Sequence, residues 1–353
     1  MAETLRKNKE KRNLSDLFNL VDQRTLIISG FGYFVGKQSG RLVIKKKKDV
    51  IAQYAMANLD EVIIMSRGIA ISTSIINDAC RHGIKICIWG NNYPNVMISS
   101  PQLAAFAEVK RAQFSSLSTK TGLNLIRSIL ESKIRNQAAL IKYSIKNKDP
   151  STAAQMFRNV NEIESRLQIL KAIKGSNLAQ ARTQLLNLEA IAAHAYWRAF
   201  RSALKADYGF KGRDPNSIDS VNIALNYGYA ILYSLTWMGI LNAGLEPFAG
   251  FLHTDRPGKP SLVLDLSEPF KPRLVDRVVL SIVNRRKKLS SEDGMLNDAS
   301  KKLLSGSVIA ELNKREPYSG KRLTVRSILQ GSIYSAANML KKKGSYEKYL
   351  FKW

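Results

Sequence analysis

Between residues 25 and 99 the apolar positions come in short runs rich in β-branched side chains, at 26–28, 42–44, 61–65, 84–89 and 96–98, with Gly, Asn and Asp between them. Runs of that length bounded by turn formers predict strands. Between two of them lies 69–82, with Ser72 or Thr73 placed to cap a short helix and Gly83 placed to stop it. After Pro101 the spacing changes. Leu123, Ile126, Ile129, Leu130 and Ile134 recur every third or fourth position, within stretches rich in Ala, Leu, Gln, Arg and Lys, which is the helical period. The predicted fold class is therefore α+β and multidomain. A mainly β domain occupies residues 1–99, opened by a basic lead at 1–20, and a larger all-α domain occupies 100–353. Residues 261–264, Ser-Leu-Val-Leu, follow the turn-forming stretch 255–260 and read as a short strand inside the helical part.

One stretch is long enough to cover a bilayer, because no charged residue occurs between Asp219 and Glu246. It carries Asn222, Asn226, Tyr227, Tyr229, Tyr233, Ser234, Thr236 and Asn242. Each of those polar groups would cost about 1 kcal/mol or more in hydrocarbon without a partner, so the expectation is a buried core helix and no membrane. The N-terminus is basic but leads into no apolar run with a cleavage site, and Cys80 and Cys87 are the only thiols of the chain. Too few for a disulfide framework or a cysteine zinc site, they fit a cytoplasmic protein.

Charge changes the picture further. Against 28 Asp and Glu stand 55 Lys and Arg, a formal excess of +27 over 353 residues. The surplus is clumped at 45–48, 285–288 and 341–343. Any single run reads as a solvated turn or helix end. Clumping on top of so large a net charge points to a polyanionic partner bound with steep salt dependence. No phosphate-binding Gly-x-x-x-x-Gly-Lys loop, His-Glu-x-x-His helix or Gly-x-Ser-x-Gly elbow is present, so nucleotide and serine hydrolysis have no support.

The chain has three histidines. His82 stands at a helix C-terminus, where capping explains it, and His194 lies within a helical run as an ordinary packed or surface residue. His253 follows the glycine-punctuated stretch 244–252 and precedes Asp265 and Glu268. Those two acids are spaced i, i+3, which on a helix shares one face. One imidazole and two carboxylates suit Mg²⁺ or Mn²⁺ better than zinc, although the acids alone are equally explained as residues favoured at a helix N-terminus. Glu189 sits among apolar residues in Leu-Leu-Asn-Leu-Glu-Ala-Ile-Ala-Ala, residues 185–193. If buried it must pair or bind a metal; if exposed it is an ordinary salt-bridging glutamate.

Four blocks, Leu188-Glu-Ala-Ile-Ala-Ala-His-Ala-Tyr-Trp197, the Asp219-Ser-Val-Asn222 run through Tyr233, Ala243-Gly-Leu-Glu-Pro-Phe-Ala-Gly-Phe-Leu-His-Thr254, and Ser261-Leu-Val-Leu-Asp-Leu-Ser-Glu268 through Arg277, resemble the CRISPR-associated integrase and endonuclease "Cas one" of the adaptation module. The stretches 62–74 and 82–89 extend the likeness to residues 25–285. The chain departs from many members in carrying Ala190 after the glutamate. The resemblance implies a helical catalytic domain holding one divalent metal through Glu189, His253 and Glu268, with Asp265 as a nearby second acid in a positioning role. It implies a homodimer that joins the small "Cas two" protein and inserts short double-stranded DNA, by attack of its 3′ ends, into a CRISPR repeat. Arg256, Lys259, Lys271, Arg273, Arg277, Arg285, Arg286, Lys287 and Lys288 are then the candidates for tracking phosphates, some of them pairing instead with acids such as Asp255 and Asp276. Two other classes fit the charge: a standalone metal-dependent nuclease of branched DNA, and a non-catalytic nucleic-acid binder.

Overall fold

In a computed structural model the chain divides into two compact units, residues 1–103 with 298–313, and residues 104–297 with 314–353. The structure describes residues 18–21, 24–66, 68–89, 94–100, 107–146, 148–254, 256–285, 289–292 and 294–351. The basic lead at 1–17, Asp255, and Arg286, Lys287 and Lys288 of the expected phosphate-tracking group lie outside the described residues.

Among the described residues, the strands of the first unit form two sheets. One has the order β1 (Phe18–Val21), β2 (Thr25–Ile28), β6 (Glu61–Ile64), β8 (Lys85–Trp89), β9 (Pro94–Ile98), with β2, β6 and β8 parallel. Parallel strands covered on both faces read as continuous apolar runs rather than alternating ones, and all four residues of β2 and of β6 are buried. The second sheet, of order β5 (Asp49–Ala55), β4 (Arg41–Lys46), β3 (Tyr33–Gln38), β7 (Ile69–Ile71), is less apolar. Its strand β3 alternates Tyr33 and Val35 inward with Phe34 outward, a pattern too broken by Gly36 and Lys37 to stand out in the sequence. Leu26, Ile28, Val35, Leu42, Ile44, Val62, Ile64 and Ile86 share one core with Ile75 and Ala79 of helix α1 (Thr73–Arg81). Ser72 caps that helix as anticipated, its hydroxyl accepting from the Ile75 N–H, and Gly83 follows with φ +70°. The lysine run 45–48 ends β4 and, at Lys47 and Lys48, makes the turn to β5. The helix Asp298–Leu312, from far along the chain, belongs to this unit.

The second unit is built on helices α2 (Ala107–Ser116), α3 (Lys120–Ile145), α4 (Pro150–Ala172), α5 (Leu178–Ala203) and α6 (Ser220–Asn242). Each start from α4 to α6 carries a side-chain cap: Asp149 accepts from Thr152 N, Asn177 from Gln180 N, and Asp219 from Val221 and Asn222 N. Helix α6 is the uncharged stretch. Most of it is buried, and two of its hydroxyls close locally, Ser234 on the Ala230 carbonyl and Thr236 on the Leu232 carbonyl. No helix among the described residues is long and apolar enough to cross a membrane. Residues 261–264 are not a strand; they open helix α7 (Ser261–Ser267), buried along its whole length. A helix covered on every side shows no amphipathic period, so a short apolar run after a proline turn is ambiguous by pattern alone. A 3₁₀ turn at Glu268–Phe270, a π-helical turn at Pro272–Asp276 and helix α8 (Arg277–Asn284) continue it. Paired strands Ser291–Glu292 with Met295–Leu296 and a hairpin at 315–324 add short strands to the unit, and α10 (Val325–Leu340), the next helix after α9 (Asp298–Leu312), packs against α6.

Candidate active site

Glu189, His253, Asp265 and Glu268 are placed by α5, the 250–253 loop and the α7 segment, and they meet as two pairs, His253 with Asp265 and Glu189 with Glu268 across Lys133. The loop can lie on the start of α7 because Gly250 has no side chain: a Cβ there would come within 2.3 Å of the Ser261 Cβ. Ser261 Oγ in turn donates to the Thr254 carbonyl at 3.0 Å. Asp265, fully buried, faces back into the loop. Its Oδ2 accepts from Phe251 N at 2.7 Å and Leu252 N at 3.0 Å, and its Oδ1 accepts from His253 N at 3.2 Å and lies 2.6 Å from His253 Nδ1. A carboxylate on Nδ1 holds that nitrogen as the donor and fixes the orientation of the ring. Asp265 thus aims the histidine and has no oxygen to spare.

Glu189 and Glu268, 79 residues apart in sequence, meet on one cation. The Lys133 ammonium, from the middle of α3, lies 2.5 Å from Glu189 Oε1 and 2.7 Å from Glu268 Oε2. The Glu189 side chain is only 15% exposed, which decides between the two readings left open above: it is a covered acid that pairs. Lys271 approaches Glu268 from the other oxygen at 2.5 Å. Burial alone would push the Glu268 carboxyl up; Lys133, Lys271 and His253 outweigh it and hold the group well below the usual carboxylate range. Burial likewise opposes the charged forms of Lys133 and Lys271, and their carboxylate partners more than restore them. These groups stay ionised at neutral pH. A cavity of about 170 Å³ opens onto Lys133, Glu268 and Lys271, walled by Trp197, Tyr229 and Asp276.

Two carboxylates converging on one cation, with a histidine held by a third carboxylate, form an oxygen-rich donor set of the kind a hard divalent ion takes. Among the described residues, however, no group of three or more His, Cys, Asp or Glu side chains is arranged to hold a metal ion. The ammonium stands between the carboxylates instead. Lys133 was not anticipated from the sequence, yet a signal was there. It lies three residues after Leu130 and seven after Ile126, a charge within the apolar register of its own helix.

The anticipated cations divide. Arg256 is exposed and Lys259 half-buried on the loop before α7. Arg273 is not available to a phosphate: it is buried, and its guanidinium holds Glu316 at 2.7 Å. Arg277 and Arg285 line a second cavity, of about 330 Å³, together with Tyr143, Lys146, Lys148 and Lys205. Among its described lining residues none is acidic. Burial, and then the nearby charge of Lys205, push the Lys148 ammonium down against the opposing pull of Asp149. Asp276 pairs with no cation directly; two tyrosines hold it. His82 Nδ1 lies 2.8 Å from the Asp78 carbonyl at the end of α1, and His194 is exposed on α5, as their positions suggested.

A family model described as CRISPR associated protein Cas1 matches residues 26–309. The chain belongs to the Cas1 family. It is 29% identical over 345 residues to the CRISPR-associated endonuclease Cas1 1 of Archaeoglobus fulgidus, covering 93% of this chain and 99% of that protein. To the protein of the same description from Francisella tularensis subsp. novicida it is 30% identical over 330 residues, with the same coverage. These relatives make the chain a CRISPR-associated nuclease of the Cas1 family. Among solved structures, a casposase bound to integration product superposes with a TM-score of 0.75 at 21% identity, over 93% of this chain and 94% of that one. A Cas1 protein from Thermotoga maritima gives 0.71 at 17%, over 92% and 100%. A chain of a Cas6-RT-Cas1–Cas2 complex gives 0.76 at 19%, over 94% of this chain and 37% of that one. The Cas1-family fold is thus also that of an enzyme caught with an integration product.

Proposed function

We propose that this Cas1-family chain is a metal-dependent DNA integrase, in which Glu189, Glu268 and His253 hold one Mg²⁺ or Mn²⁺ and the 3′-hydroxyl of a short duplex attacks a phosphodiester of a CRISPR repeat. The observation that carries the reading is the meeting of Glu189 and Glu268, from distant parts of the chain, on a single cation. In this reading the two carboxylates supply hard oxygen ligands and Asp265 keeps His253 turned so that Nε2 can complete the set. Bound there, the ion would supply Lewis-acid stabilisation of the phosphate and a template for the attacking oxygen. Lys271 remains beside Glu268 as a fixed positive charge facing the cavity, suited to the negative charge that builds on a phosphate under attack. One phosphodiester bond forms as another breaks, so the displaced 3′-oxygen leaves with the proton that the attacking hydroxyl gave up; when water replaces that hydroxyl the same site nicks DNA.

DNA as the substrate is supported by the +27 charge and by the cation-lined cavity. The match to a chain of a complex containing Cas2 supports work with a Cas2 partner, and in this reading the chain acts as a homodimer. The test is direct. Supercoiled plasmid carrying a repeat is incubated with short duplex DNA and Mn²⁺ or Mg²⁺, with and without the partner, and joined products are sought. The reading expects joining that a chelator stops and that Glu189→Ala or His253→Ala removes while DNA retention stays. Joining that survives either substitution would end it.

A further inference from the structure

The cavity beside Glu268 has one wall that the chemistry above does not use. Asp276 is 1% exposed, and each of its oxygens takes a phenol: Tyr196 OH donates to Oδ2 at 2.6 Å and Tyr229 OH to Oδ1 at 2.6 Å. It stands at the end of the π-helical turn Pro272–Asp276, an extra residue in the backbone that re-aims the side chains after it, a device found often at functional sites. The turn reaches α6 because Gly228 leaves room; a Cβ at that position would come within 2.5 Å of Val275 Cγ1. Burial, and then the Asp276 charge, push both phenols well above the ordinary tyrosine value, so both remain donors.

What the clamp fixes is the face of Tyr229. The Lys271 ammonium lies 5.1 Å from the Tyr229 ring centre and 5.3 Å from that of Tyr233, the two rings stacked at 6.1 Å. Arg213 sits 5.3 Å from the same Tyr229 ring, its guanidinium held by Asn222 Oδ1 at 3.0 Å and Asn226 Oδ1 at 2.6 Å. A lysine has a long, flexible stem, and one carboxylate does not fix where its charge rests; the hydrogen bond it shares with Tyr233 and the ring faces on another side do. We propose that Asp276 is a positioning residue of the reaction: through Tyr229 it sets where Lys271 holds its charge beside Glu268. The proposal rests on the reading that the cavity at Glu268 is the reactive one, and it concerns the nicking step as much as joining.

Single-turnover nicking of supercoiled DNA tests it separately from integration, since a chain that nicks but never joins DNA would refute the integrase reading and leave this one open to measurement. Asp276→Asn is expected to slow nicking about tenfold or more, with the half-saturating DNA concentration changed less than twofold. In a Lys271→Gln background the same substitution should cost nothing further. Tyr229→Phe, which keeps the ring and cuts the tether, should match Asp276→Asn, and covers the case in which that variant fails to fold. A crystal structure of Tyr229→Phe should find the ammonium displaced from the ring, whatever activity Lys271→Gln retains. An equal loss in both Lys271 backgrounds, a loss confined to DNA affinity, or an ammonium unmoved in Tyr229→Phe would each overturn the proposal.

Discussion

The two units place their buried charges differently. The β unit is held by a core of Leu, Ile and Val that α1 and both sheets share, and the buried charged residues described there are Glu61 and Lys85. The helical unit buries Lys133, Asp265, Glu268, Arg273 and Asp276. Burying charges costs free energy that pairing recovers only in part, so a domain does not collect them for stability. Three of them, Lys133, Glu268 and Asp276, line one cavity, where the proposed chemistry would sit, whereas the β unit rests on an aliphatic core and would serve as a scaffold. The comparison teaches where a mutation should act on the rate of reaction and where it should act on folding alone.

The largest expected effect separates the units by their response to metal. Lys133→Met leaves Glu189 and Glu268 facing one another without their cation, and should cost roughly 3–5 kcal/mol in a urea melt with chelator present. Mn²⁺ should recover much of that loss. Ile44→Ala, in the β core, should cost about 2–4 kcal/mol, with no recovery by Mn²⁺ and no change in nicking rate per folded molecule. If the two variants respond alike to the ion, the contrast fails.

A third effect, in pH, sharpens the account of Glu268. Folding holds this carboxyl below its ordinary value of 4.5, so its ion pairs stabilise the native state fully above that pH and are lost as pH falls through the lower native value. The stability gap between wild type and Glu268→Gln should therefore be steady at neutral pH and narrow below about 4.5, as read by melts across an acid series. The smallest effect concerns DNA binding. Replacing Lys146, Lys148 and Lys205 together by Ala should reduce the slope of log K against log salt by about 2–3 and leave the rate on saturating DNA near that of wild type.

Much of this was legible in the amino acids. The strands around residues 26, 43, 62 and 86 announce themselves because both faces are buried, and α6 announces itself by its lack of charge. Glu189 was visible as an acid in apolar surroundings, Glu268 by its i, i+3 spacing from Asp265, and His253 by elimination among three histidines. Strands β3, β5 and β7 were not visible, because half-exposed strands broken by Gly, Lys and Gln lose the two-residue alternation. Helix α7 was misread for the opposite reason, burial on every side. Arg273 was counted as a phosphate contact because its partner Glu316 lies 43 residues further on, a pairing that only the fold brings about. The clamp at Asp276 depends on a π turn and on Tyr196 and Tyr229 from two other helices, which no local pattern encodes.

The central claim is that Glu189 and Glu268 together grip one cation. Manganese binding, measured by calorimetry or electron paramagnetic resonance on the full chain and on Glu189→Gln and Glu268→Gln, tests it without reference to activity. The account predicts one high-affinity Mn²⁺ per chain, lost in each variant. Manganese bound as tightly by Glu189→Gln as by the wild type would contradict it.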